Sequence, residues 1–188
     1  MPYSIDFMLL MQEENVFTIL QSLICKEVAP LKSNITSQLF SPDINQWPIG
    51  SPERFIHGCW QLNMMWFHSF PQECGCDIRG MYDGINHGIG VQTTYFDLLC
   101  LEDDYRNKSQ LMEIIRNNKQ PTWVWVTNCE ALLDTAIAGW LRSILTTYYT
   151  EHIRVTFLLD SQQQYREIFR RYSAPLYNST MALKLCKR

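Results

Sequence analysis

Two short apolar runs near the C-terminal end, "TWVWVTN" (122–128) and "HIRVTFLLD" (152–160), limit the possible folds more than any other feature. Each is a few residues long and rich in β-branched and aromatic side chains, which predicts a buried strand. Between them, "EALLDTAIAGWLRSILTTYY" sets Leu133, Ile137, Trp140, Leu141, Ile144 and Tyr148 on one side of a helix. Thr127 and Glu130 have capping-box spacing, so Thr127 is the expected helix cap. After the second run, Asp160 or Ser161 can cap "QQQYREIFRRY", whose apolar side is Tyr165, Ile168, Phe169 and Tyr172, and Pro175 closes it. Strand, helix, strand, helix with short connections implies a parallel βαβ crossover. In such sheets ligands sit at the C-terminal strand ends, here Thr127, Asn128, Asp160 and Ser161.

The rest of the chain is compatible with this pattern. Residues 3–11 read as a strand, and residues 13–28 carry a helical stripe (Val16, Ile19, Leu20, Leu23, Ile24) that Pro30 ends. Residues 33–53 are rich in Ser, Asn and Pro and read as a surface loop, exposed over 41–53. "RFIHGCWQLNMMWFHSF" holds a buried strand, with Trp60, Trp66, Phe67 and Phe70 as core aromatics. "PQECGCD" is a turn, and residues 91–118 read as mostly helical. The expected fold is one α/β domain over residues 1–188, a mostly parallel central sheet with helices on its faces.

With 46% hydrophobic and 19% charged residues the chain can build a core. The net charge of −3 argues against nucleic acid as a general partner. Residues 150–188 hold seven Lys/Arg against three Asp/Glu, so the C-terminal segment 165–188 is basic while the remainder is acidic. The seven cysteines, the absence of a signal-peptide pattern and the lack of a run long enough to span a membrane predict a cytoplasmic protein with reduced thiols.

The stretch "DGINHGIGVQTT" (83–94) raises the question of a phosphate loop, with Gly84, Gly88 and Gly90 as candidate ligand-binding positions; Asp83-Gly84 itself reads as a tight turn, and Gly88 and Gly90 as positions of positive φ or close backbone approach. The C-terminal half sharpens it. "VWVTNCEALLDTAIAGWLR" followed by "HIRVTFLLDSQQQYREIFRRYS" resembles a segment of AAA+ ATPases. A strand ending in Thr-Asn (the sensor-1 position) would fall on Asn128, a Leu-Asp-x-Ala turn on Leu133–Ala136, and arginines on Arg142 and Arg170. A second alignment, similar to STAND-type ATPases, places 122–133 at the Walker-B strand, where an acidic pair is expected and Asn128 and Cys129 stand. The resemblance covers about 50 of the 188 residues. It implies a P-loop-NTPase-like sheet. The P-loop G-x-x-x-x-G-K-[ST] needs its lysine and hydroxyl. With Gly90 at the second glycine, Val91 and Gln92 occupy those positions, and no lysine lies between Lys32 and Lys108. The resemblance therefore implies a degenerate, non-hydrolysing relative within a larger, bacterial-type complex.

Other chemistry is sparse. His57, Cys59, Cys74 and Cys76 are the candidate zinc ligands, at non-standard spacing. Buried free thiols and locally bonded histidines explain them as well. A cysteine nucleophile would need Cys59 or Cys74 beside His57 or His87. Trp47 in the 41–53 loop, with Arg170, Arg171, Tyr172 and Tyr177, forms the candidate partner surface. The expected function is a non-catalytic interaction or regulatory module with a protein partner and no cofactor; the alternatives are a nucleotide-binding protein with an unusual loop and a Cys/His metal protein.

Overall fold

The computed structural model describes residues 43–101, 105–116, 120–148 and 150–183. The strand and helix expected over residues 3–28 lie outside them. Five parallel strands form one sheet in the order β2–β3–β4–β1–β5. They are β1 (Trp66–Ser69), β2 (Gln92–Asp97), β3 (Thr122–Thr127), β4 (Ile153–Leu158) and β5 (Met181–Ala182). Helices α1 (Pro52–Gln61), α2 (Cys76–Gly88), α3 (Tyr105–Arg116), α4 (Thr135–Thr147) and α5 (Gln162–Tyr165) connect or flank them. The last of these widens into a π-helical turn at Arg166–Arg170.

The expected α/β fold with a parallel sheet is present. Register follows the pleat. Trp123 and Trp125 face one side with Phe67, where Ile56, Cys59 and Trp60 of α1 and Tyr82 of α2 complete the core. Val124 and Val126 face the other side with Val155 and Phe157, against Leu111 and Ile115 of α3, Leu141, Ile144 and Leu145 of α4, and Ile168 and Phe169. Both faces of β3 and β4 are covered, which is why these two strands read as continuous apolar runs. The buried indoles find acceptors: Trp60 donates to Asn86 Oδ1 (3.1 Å), Trp123 to Thr156 Oγ1 (3.1 Å) and Trp125 to Asp83 Oδ1 (2.8 Å). Trp60, Phe67 and Phe70 are core residues as expected, and Trp66 is partly buried.

Four local expectations are corrected. Residues 92–97 form edge strand β2, paired only with β3 among the described residues, so the helix begins at Tyr105. Asp83, Gly84 and Gly88 are helical residues of α2, and only Gly90 has positive φ (78°), in the turn into β2. Thr127 caps no helix: Asn128 adopts the left-handed conformation (φ 52°), a 3₁₀ turn follows over Cys129–Leu133, and Asp134 caps α4 through Ala136 N at 2.7 Å. Leu133 and Tyr172, expected on apolar helix faces, are 47% and 88% exposed.

Candidate functional site at the C-terminal strand ends

The chain leaves β1 toward the far edge, returns through β2, β3 and β4, and then crosses β1 to reach β5. The direction reverses between β1 and β4, so the crevice above their C-terminal ends is where a ligand of this fold class would sit. Ser69 O accepts from Leu159 N (2.9 Å) and ties the two strand ends together. Beyond β4, Ser161 caps α5 by accepting from Gln164 N (3.1 Å), and Asp160 N donates to Gln164 Oε1 (2.8 Å). Asp160 and Ser161 therefore lie at the crevice, as the crossover argument expects.

Thr127 and Asn128 lie at the end of β3. Asn128 Nδ2 donates to Asp97 Oδ1 (2.8 Å), which also accepts from Leu99 N (2.9 Å). Thr127 Oγ1 donates to Phe96 O at 3.5 Å. Both side chains are turned toward β2 rather than toward β1, and Asn128 serves its own neighbour.

The structure also locates the strand–loop–helix junction where a phosphate loop would lie. A P-loop joins a strand directly to a helix. The one at the crevice runs from Ser69, the last residue of β1, to Cys76, the first of α2. Its residues, Phe70 to Asp77, are "FPQECGCD". Gly75 takes the place of the second glycine, Phe70 that of the first, Cys76 that of the lysine and Asp77 that of the serine or threonine. Glu73 N and Cys74 N both bond to Phe70 O at 2.9 Å, so these two amides are spent inside the loop instead of pointing at an anion. Asp77 brings negative charge to the helix start. One isolated glycine gives no sequence signal, so only the position of the junction finds this loop.

The glycine-rich stretch is elsewhere. α2 runs back across the sheet, and Gln92 N bonds to Pro121 O just before β3 begins. Gly88 and Gly90 thus stand at the N-terminal end of the sheet, opposite Thr127, Asn128, Asp160 and Ser161. Gly84 faces open space on α2. These seven positions do not form one site.

The Cys/His set is divided in the same way. Cys59 and Cys74 are buried in the α1–α2 core, and burial pushes their thiols up to about 12 and about 11. His57 stacks on Trp47 with ring centroids 4.0 Å apart, and burial lowers its pKa. Cys76 is exposed and accepts from Arg79 Nη2 at 3.2 Å. Among the described residues no three His, Cys, Asp or Glu side chains gather where a metal ion could be held. His87 lies against Thr93 Oγ1 (3.5 Å) on the surface, with no thiol of a described residue paired to it. Trp47, expected as an exposed anchor, is half-buried, and its carbonyl accepts from Arg54.

The remaining candidate partner residues cluster at the end of the π-helical turn and just beyond it. Asn178 N bonds to Phe169 O (2.8 Å), Ala174 N to Arg171 O (2.9 Å) and Tyr177 N to Ala174 O (3.0 Å). Arg170 Nη1 donates to Asn178 Oδ1 (3.2 Å), and Arg142 of α4 donates to Pro175 O (2.6 Å). Tyr172 and Tyr177 meet edge to face, 5.5 Å apart.

No family model matches the chain, and no curated protein matches it. Among solved structures it is similar to the Aeropyrum pernix ORC1 protein, whose structure was determined in complex with DNA. The identity is 10% and the TM-score 0.42, over 79% of this chain and 49% of that one. The chain thus spans about half the length of that protein. No helix among the described residues is long and apolar enough to cross a membrane.

Proposed function

We propose that this chain is a non-catalytic interaction module, built on an ATPase-like sheet and working as a regulatory subunit with protein partners. The observation that carries this reading is the β1–α2 junction. Phosphoryl transfer depends on positive charge and oriented amides around the phosphates, and on a hydroxyl and a carboxylate for Mg²⁺. Phe70, Cys76 and Asp77 supply neither the lysine nor the hydroxyl, the amides of Glu73 and Cys74 are spent on Phe70 O, and Asn128 replaces the carboxylate. Asp77 adds like charge at the helix start, and the nearby guanidinium of Arg79 is engaged on Cys76.

Thermal unfolding with and without millimolar ATP or GDP plus Mg²⁺ tests the reading, together with phosphate release from ATP. The expected result is an unchanged Tm and no release above the buffer rate. A rise of several degrees, or turnover that Asp77→Ala alters, overturns it in favour of a nucleotide-binding protein with an unusual loop.

A further inference from the structure

The region after α5 combines three properties. It is basic: from Gln162 to Leu183 there are three arginines, Arg166, Arg170 and Arg171, against the single carboxylate Glu167. All three arginines are exposed, and Arg142 brings a fourth guanidinium to the same loop through its bond to Pro175 O. Glu167 is engaged on its own helix by Gln163 Nε2 (3.0 Å).

It is aromatic at the surface. Tyr172 is 88% exposed and Tyr177 42%, so the pair presents ring area to solvent rather than to the core. Tyrosine and arginine are enriched among the residues that anchor protein interfaces, and tyrosine gives large contact area at low entropic cost.

The region is also held in place. The bonds that close residues 169–178, the left-handed Asn178 (φ 52°) with its side chain on Arg170, and the buried Leu176 fix the loop to the core. An aromatic pair on an anchored loop is pre-organised, so little ordering cost falls on binding.

We infer that this Arg/Tyr surface docks an acidic protein segment, its carboxylates on Arg170 and Arg171 and an apolar side chain on the Tyr172–Tyr177 pair. Arg171 makes no side-chain hydrogen bond to any described residue, and a guanidinium matches a carboxylate in bidentate geometry. The charge pattern favours a peptide over nucleic acid. Among the described residues the patch holds four arginines, on a chain of net charge −3, and Asp160 and Glu167 stand on the same crossover. A polyphosphate needs an extended run of cations and would meet these carboxylates. The inference rests on the interaction reading above and names the partner chemistry of that surface.

The test is fluorescence anisotropy with a labelled poly(Glu,Tyr) copolymer, with poly(Lys,Tyr) and single-stranded oligothymidylate as counter-probes, on the full chain. Binding of poly(Glu,Tyr) alone is expected. It should weaken with added salt and fall about tenfold or more in Arg170→Ala/Arg171→Ala and in Tyr172→Ala. Both variants change exposed residues, and an unchanged Tm confirms folding; Arg171→Ala alone spares the Arg170–Asn178 bond and should still weaken binding. Absence of poly(Glu,Tyr) binding, or binding that survives these substitutions, overturns the inference. Oligothymidylate bound as tightly, and lost in the same variants, overturns it in favour of nucleic acid. ATP turnover in the same preparation would remove the non-catalytic reading while leaving the anisotropy result to stand or fall separately.

Discussion

The guanidinium of Arg154 lies 4.2 Å above the ring of Trp60, joining the start of β4 to the end of α1. Arg154 is 1% exposed. Its donors reach the carbonyls of Cys59, Trp60, Glu151 and Ile153 and the side chain of Asn63. All five N–H groups are used, which a lysine with three donors on a compact head cannot reproduce. Burial lowers its pKa to about 10, so it is charged at neutral pH. Arg154→Met should lower the unfolding free energy by about 3 kcal/mol, since it strands buried carbonyls. Arg154→Lys should recover only part of that. Urea unfolding followed by tryptophan fluorescence reads both, and a loss below about 1 kcal/mol for Arg154→Met would refute the keystone role.

Asp83 joins α2 to the sheet. It accepts from Trp125 Nε1 (2.8 Å) through one oxygen and from Tyr95 Oη (3.0 Å) through the other. Trp125 is fully buried, so removing its acceptor leaves a desolvated N–H at a cost of about 1–3 kcal/mol. Asp83→Ala should show that loss, and Trp125→Phe in the same background should add less than it does in the native chain. Four unfolding curves complete the cycle; strict additivity would mean the bond carries no coupling.

These two residues also mark how far the sequence could be read. β3 and β4 were legible because burial on both faces makes them apolar throughout. β2 was not: its burial is mixed, and "QTTYFD" shows no clean apolar run. Asp83-Gly84 looks like a turn because both residues favour turns. The partners that hold Asp83 in a helix lie 12 and 42 residues away. For the site, the C-terminal strand ends followed from the βαβ pattern, which places Asp160 and Ser161 just past the end of β4. The phosphate-loop position did not, because a degenerate loop loses the residues that would announce it. Glycine content pointed instead to the end of α2, where Gly90 only needs positive φ.

Stability should depend on pH through the buried histidines. His68 is 7% exposed, stacks on Tyr165 at 4.3 Å and lies 3.0 Å from Thr180 Oγ1. Burial lowers its pKa from 6.5, against a smaller opposing effect of Glu73, and burial lowers His57 and His152 as well. The unfolded chain therefore takes up protons first as pH falls. Stability is fully present above about pH 7 and declines below the unfolded value near 6.5. His68→Phe keeps the stack and removes one titrating site, so its urea midpoint should fall less between about pH 7.5 and 5.5 than the native one does. An equal or steeper fall would show that His68 does not contribute to the slope.

Thiol reactivity separates the cysteines by burial and gives an independent check on the core. Cys59, Cys74 and Cys129 are at most 2% exposed, and burial raises the pKa of each. The nucleophile is the thiolate, which these sites disfavour at neutral pH, and the reagent has no path to them in the folded state. Cys76 and Cys100 are exposed. Brief iodoacetamide treatment of the native chain, read by peptide mass spectrometry, should modify Cys76 and Cys100 and spare Cys59, Cys74 and Cys129. All five of these described cysteines should be modified in urea. Native labelling of Cys74 at the rate of Cys76 would mean that the β1–α2 junction opens, and with it the closed loop on which the non-catalytic reading depends.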